Sequence, residues 1–361
     1  MNTVTRFDAQ GVVEPGFETV REAFARVLTE QRGTGAALAV WHEGRWIVDL
    51  WGGAASADGT RAWQRDSIVQ PYSVSKPFAA MCALVLVDRG VLDLDAPVQR
   101  YWPEFRAPAT PRHVLSHQAG VVALDAAAPT SVFYDWHALC ALLADQRSEW
   151  PPGTAHGESA LFYGHLVGEI VRRVDGRSLG GFLRDEVCAP AGLDFAVGLT
   201  ADDQARAVEL TCLDDIEPHA GELYRRATAN PPGTRDPAVV NGAAWRTAEV
   251  PAINGHGTAR GIAGLYAALL RGELLSPQLL REAVSVQCSG VDRVFGHENA
   301  WGLGFGIDPE GFGMGGLGGS FGAACSAAGY AIAFVTGTMG THARGELLEN
   351  TVRACIGLAP I

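Results

Sequence analysis

The 361-residue sequence has no run of lysine or arginine, no cysteine pair at CxxC spacing and no apolar stretch long enough to cross a bilayer. Each absence removes a class of protein. A nucleic-acid binder needs a basic stripe to meet the phosphates, and a chain of net charge −12 offers none. A spanning helix needs about 20 consecutive apolar residues. Zinc and related sites need clustered thiolates or imidazoles. The seven cysteines (82, 140, 188, 212, 288, 325, 355) are scattered and the ten histidines form no HExxH pair, so no metal or other cofactor is expected. An odd, dispersed set of cysteines in apolar surroundings reads as reduced core thiols. Residues 1–8 lack the apolar stretch of a secretory signal, and a cytoplasmic protein is expected. There is no internal repeat.

Hydrophobic residues make up 47% of the chain, enough to bury a large core in one domain or two intimate ones. Residues 16–31 repeat apolar side chains at helical spacing (Phe17, Val20, Phe24, Val27, Leu28). Two strand-like runs follow, 36–42 and 45–51, joined by Glu43-Gly44 as a hairpin. From about 96 to 250 the texture is helical and proline-rich, clearest over 135–145 and 161–174, then irregular from 197 to 255 around Asn230-Pro231-Pro232-Gly233. A helix over 258–271, a strand over 330–335 and a helix over 346–356 complete the chain. Helix, hairpin and helix in that order is not a βαβ repeat. The expectation is an α+β fold: an antiparallel sheet flanked by helices (1–100 with 256–361), a mainly helical inserted domain (101–255), and a site between them.

The stretch Pro71-Tyr72-Ser73-Val74-Ser75-Lys76-Pro77-Phe78 precedes an apolar run, 79–90, closed by Gly90. Pro77 is tolerated only in a first helical turn, so the helix starts close to Ser73 and puts Ser73 and Lys76 on one face at i, i+3. A hydroxyl at a helix N-terminus with an amine one turn above it suits an activated nucleophile and its base, since burial and the helix dipole both disfavour a charged lysine. A capping serine beside a solvated lysine fits the same local pattern.

Further stretches resemble one family together. Asp93-Leu94-Asp95-Ala96-Pro97-Val98, Tyr101-Trp102-Pro103-Glu104-Phe105, His113-Val114-Leu115-Ser116-His117-Gln118-Ala119-Gly120, Pro152-Gly153-Thr154, Gly164-His165-Leu166-Val167-Gly168-Glu169 and Asn254-Gly255-His256-Gly257-Thr258-Ala259-Arg260 are similar, in order, to the class C β-lactamase and penicillin-binding-protein superfamily of serine hydrolases. The nearest look is to its esterase branch, the family VIII carboxylesterases. The resemblance runs from about residue 16 to 356. It implies Ser73 as nucleophile of an SxxK device with Lys76, and an acyl-enzyme formed on a small ester or amide. It also implies two oxyanion donors, the Ser73 N–H and one on a late strand near Gly319, Ser320 and Phe321.

Two positions depart from the family. Its catalytic tyrosine falls here on Glu158, and the basic or imidazole residue of its late-strand element falls on Met314, in Met314-Gly315-Gly316. The family's Asp-Pro-Glu is Cys325-Ser326-Ala327. A glutamate of ordinary pKa, about 4.3, is a weaker base than a phenolate, and beside Lys76 it would favour the charged lysine. Three readings stay open: a substitute general base, a binder of a cationic or amine-bearing group, or a decayed hydrolase. Among neighbours, His156 is the imidazole candidate and Tyr72 a candidate pocket wall, whereas Tyr163, His117 and His256 read as core residues. The expected function is acyl transfer to water (an esterase) or to an amine or alcohol (a transacylase). The alternative is a binding protein that keeps the fold without turnover.

Overall fold

The structure is a computed structural model that describes residues 8–215 and 221–361. Strand β1 (Gln10–Val13) pairs with β3 (Arg45–Gly52), which pairs with β2 (Ala36–His42) across the expected hairpin. Its two turn residues, Glu43 and Gly44, both have positive φ (47° and 86°), as a turn matched to the twist of a hairpin requires. The two-residue strands β4 (Phe195–Ala196) and β5 (His256–Gly257) pair separately. Late in the chain come β6 (Cys288–Val291), β7 (Glu298–Trp301), β8 (Gly306–Asp308), β9 (Gly311–Gly315), β10 (Phe321–Cys325) and β11 (Tyr330–Thr336). The main sheet is nine-stranded and antiparallel, in the order β1-β3-β2-β11-β10-β9-β8-β7-β6. Early and late strands thus meet at its centre, and among the described residues 101–255 contribute no strand to it.

Alternation sorts the central strands onto two helical layers. Leu38 and Val40 of β2 with Ile332 and Phe334 of β11 face one layer, the helices Glu18–Glu30 and Ala343–Cys355, meeting Val20, Phe24, Val27, Leu348 and Val352. Ala37, Ala39, Ala331 and Ala333 face the other layer, where small side chains let the helix Ala259–Leu270 lie close. Phe334 is wholly buried, and truncating such a residue to alanine costs about 3–5 kcal/mol.

The second layer continues without a break into the helical half. The helix Lys76–Asp88 packs against Tyr163–Asp175, and both are buried along most of their length. The helices over 135–145 and 161–174 form as Trp136–Asp145, capped by the Asp135 side chain, and Tyr163–Asp175, closed by Gly176 in the left-handed conformation. Inside the stretch read as irregular lie the short helices Ala201–Arg206, Glu222–Ala229, Pro237–Val240 and Ala243–Thr247. All seven cysteines are free thiols. No helix among the described residues is long and apolar enough to cross a membrane.

Residue pattern revealed none of the strands β6 to β10, and only the family resemblance placed a late strand, around Met314 and 319–321. Their residues (CSGV, ENAW, GID, GFGMG, FGAAC) are rich in glycine and alanine and poor in the β-branched side chains that mark strands. The glycine-rich stretch 311–322 contains β9 and the tight loop into β10.

Candidate active site

Tyr72 sits at φ 48°, an uncommon conformation for a non-glycine residue, and turns the chain sharply into the 3₁₀ turn Tyr72–Ser75. Its ring is buried and its hydroxyl donates to the Thr234 carbonyl at 2.9 Å, which holds the turn in place. The helix Lys76–Asp88 follows directly, with Pro77 in its first turn. Ser73 is left partly exposed at the mouth of a cavity, and Lys76 projects beneath it with 1% of its surface accessible.

Lys76 is the only lysine among the 361 residues, a signal present in the sequence that points to this position more sharply than the Ser/Lys spacing does. Its Nζ donates to Ser73 Oγ at 2.7 Å, to the Ala160 carbonyl at 3.1 Å and to the Ala252 carbonyl at 3.4 Å. It pairs with Glu158 Oε1 at 2.8 Å. The same carboxylate oxygen accepts from Ser73 Oγ at 3.3 Å. The structure thus closes a triangle of hydroxyl, ammonium and carboxylate. Burial pushes the Lys76 ammonium below its ordinary range, and the charge and hydrogen bond of Glu158 pull it back up. The carboxylate and carbonyl oxygens facing Nζ give an ammonium an acceptor for every proton, whereas a neutral amine would direct its lone pair at the Ser73 hydroxyl.

Glu158 is held from both sides. Its N–H donates to Asp292 Oδ2 at 2.9 Å. Asp292, fully buried, also accepts from the Val294 and Phe295 N–H groups and from Asn299 Nδ2. On the other side, the Gly157 N–H donates to the His117 carbonyl and the Ser159 N–H to His117 Nδ1 at 3.2 Å. That bond requires a neutral His117 protonated on Nε2, and burial, then the nearby Lys76 charge, holds its pKa well below the usual imidazole value. Tyr163, wholly buried, donates to the Leu115 carbonyl and stacks near His117, as a core residue does.

A cavity of about 270 Å³ opens over Ser73. Its walls include Tyr72, Glu158, Leu161, Ile253, Phe295 and Arg235, and on the sheet side Gly315, Gly316 and Leu317. The expectation that 319–321 would face the serine is corrected here. Ser320 is fully buried, its Oγ accepting from the Thr336 N–H and its carbonyl from the Gly316 N–H. Gly319 turns its N–H back to the Gly316 carbonyl. Phe321 and Met314 line a neighbouring groove along the sheet, with Met314 buried. His156 also lies off the cavity, because its Nε2 bonds Asn299 Oδ1 at 2.8 Å and it thereby braces the Asp292 network. Gly316 approaches the nucleophile turn so closely that a Cβ would lie 2.0 Å from the Pro71 carbonyl oxygen. Just after it, the Leu317 N–H finds no acceptor among the described residues, and neither does the Ser73 N–H at the start of its turn. No three His, Cys, Asp or Glu side chains among the described residues come together as a metal site.

Comparison with known proteins adds to this geometry. The family model described as Beta-lactamase matches residues 20–354. Over 356 aligned residues, covering 90% of this chain and 82% of the relative, the sequence is 32% identical to the Esterase/beta-lactamase LipL of Mycobacterium tuberculosis (strain ATCC 25618 / H37Rv). A family VIII carboxylesterase structure superposes with a TM-score of 0.88 at 36% identity, covering 96% of this chain and 100% of that one. A penicillin-binding protein homologue from Caulobacter crescentus gives 0.87 at 33% identity, over 96% and 100%. With residues 20–354 matched by the family model and nearly the whole chain covered by these relatives, the chain belongs to the beta-lactamase family.

Proposed function

We propose that this protein is a serine-dependent acyl-transfer enzyme acting on a small ester, in which Glu158 stands in for the family's tyrosine as general base. The observation that carries the proposal is the shared Glu158 Oε1, 3.3 Å from Ser73 Oγ and 2.8 Å from Lys76 Nζ. As Ser73 Oγ bonds to the substrate carbonyl carbon, its proton passes to Glu158, and the Lys76 ammonium stabilises the developing charge on Oγ. The carbonyl oxygen becomes an oxyanion in reach of the Ser73 and Leu317 N–H groups. Collapse breaks the bond to the leaving alkoxide, which takes the proton from Glu158 and leaves an acyl-enzyme. Water, or an amine or alcohol acceptor, then attacks the acyl carbon with Glu158 again taking the proton, and the acyl–Oγ bond breaks as Ser73 Oγ recovers that proton.

Of the three readings for Glu158, the base is the one this arrangement favours. Both contacts converge on Oε1, the oxygen nearest the nucleophile, and the charge of Glu158 is already matched by Lys76. The wall of Leu161, Ile253 and Phe295 suits a short acyl chain. A binding protein without turnover would need none of these contacts, and one experiment separates it from an enzyme. Incubation with an activated aryl ester or a fluorophosphonate should add one acyl or phosphonyl mass, read by intact-mass spectrometry, that is missing in Ser73→Ala. No Ser73-dependent adduct sinks the acyl-enzyme.

A further inference from the structure

The charges around the cavity do not cancel. Glu158 is matched by Lys76, but Arg235, half-buried in the opposite wall, forms no ion pair among the described residues. One of its nitrogens, Nη2, donates to the Tyr224 hydroxyl at 2.8 Å, which anchors one end of the guanidinium, and its other N–H donors have no partner among the described residues. Asp214 and Asp236 line an outer hollow that Arg235 also borders, yet neither pairs with it, and Asp236 instead caps a helix through the Ala238 N–H. The charge of Arg235 reaches Tyr72, the neighbour of the nucleophile. In a chain of net charge −12, carboxylates were abundant as partners, so an unmatched guanidinium at the cavity wall stands out.

Resting on the acyl-transfer reading above, we propose that Arg235 recognises a carboxylate on the substrate, so that the preferred ester has a short acyl chain ending in an anionic group. A guanidinium is itself planar and offers parallel donors that match both oxygens of a carboxylate. The partly enclosed wall strengthens that contact relative to bulk water. The cavity of about 270 Å³ has room for a short chain between Ser73 and Arg235 and little more. His297 and His342, on the same wall, add imidazole groups and no negative charge.

The test compares para-nitrophenyl hydrogen glutarate with para-nitrophenyl pentanoate, acyl chains of equal length with and without a terminal carboxylate. The wild type should favour the anionic ester in kcat/KM by about 10- to 100-fold, the range of one charge-assisted contact. Most of the difference should lie in KM and shrink as salt is raised. In Arg235→Gln the ratio of the two kcat/KM values should fall toward one, and Arg235→Lys should recover part of it. A wild-type ratio at or below one, or a ratio unmoved by Arg235→Gln, overturns the proposal. If neither ester shows Ser73-dependent turnover, the acyl-transfer reading fails by itself, and recognition is then read by calorimetry on Ser73→Ala. Binding of monomethyl glutarate over methyl pentanoate that is lost with Arg235→Gln supports the anion site, and equal or undetectable binding of both overturns it.

Discussion

Glutamine at position 158 keeps the shape of the side chain and removes its charge, and the consequences follow from the Lys76 geometry. Nζ lies 2.8 Å from the carboxylate with 1% of the lysine accessible. At an effective dielectric constant of about 20, that separation corresponds to about 6 kcal/mol of attraction. Desolvation opposes it, and removing one partner of a buried pair costs about 3–5 kcal/mol net. Lys76 can escape part of that cost by shedding its proton. Burial already lowers its pKa, and both influences that raise it come from Glu158, so in Glu158→Gln the pKa falls further. A lysine whose folded pKa lies below its unfolded value binds fewer protons when folded. The variant should therefore be least stable below the folded pKa and gain stability as pH rises from there toward about 10.4. Activity should fall by about 10²- to 10⁴-fold near neutral pH, the usual contribution of a general base, and recover in part on the alkaline side as neutral Lys76 takes over. Steady-state kcat/KM against pH reads the first effect. The second is directly visible, because Lys76 is the only lysine: a protein labelled with ¹³C-lysine shows one lysine side-chain signal, and its titration is that of Lys76. Full activity of Glu158→Gln at neutral pH, or an unchanged lysine titration, would refute the reasoning.

Three further outcomes are expected. In Gly316→Ala the new Cβ would meet the Pro71 carbonyl at 2.0 Å, forcing the loop off the nucleophile turn. The Leu317 donor moves with it, and kcat should drop by about 10²-fold or more while circular dichroism stays native. Asp292→Asn puts an N–H donor among four donors that now share a carboxylate, a cost of about 1–3 kcal/mol in urea unfolding. Since it loosens Glu158, its loss should appear in kcat more than in KM. Finally, burial holds His165 and His256 down to about 3, and His117 well below its usual value, so the folded state keeps all three neutral. Their contribution to stability is complete above about pH 6.5 and is lost as pH falls from there toward 3, by about 1.4 kcal/mol per histidine per pH unit. Unfolding midpoints that stay flat over that range would contradict this.

What could be read without coordinates was local or repetitive. The helix over 16–31 and the hairpin after it announce themselves by periodicity and a glycine turn, and the structure has them as Glu18–Glu30, Ala36–His42 and Arg45–Gly52. Ser73, Lys76 and Glu158 were legible because a turn spacing and an ordered series of motifs mark them. The residues 319–321, expected to face the serine, do not line its cavity, since glycine-rich runs carry no alternation from which to set a register. Arg235 was passed over inside a proline–glycine turn cluster, where side-chain type says nothing about the cavity it borders. His156 looked like a site residue for its nearness in sequence to Glu158, yet it bonds Asn299, 143 residues away.

By itself, the sequence determined which groups exist for chemistry and which of them share a helical turn: a serine and the chain's one lysine at i, i+3, with a glutamate in place of a phenol 85 residues on. Only the tertiary structure decided that the three meet. Their distances depend on how Lys76–Asp88 packs against Tyr163–Asp175 and on the Asp292 and His117 contacts that hold Glu158, all of them long-range. The lysine's lowered pKa is likewise a property of the folded core, because desolvation begins only when other segments close over the ammonium.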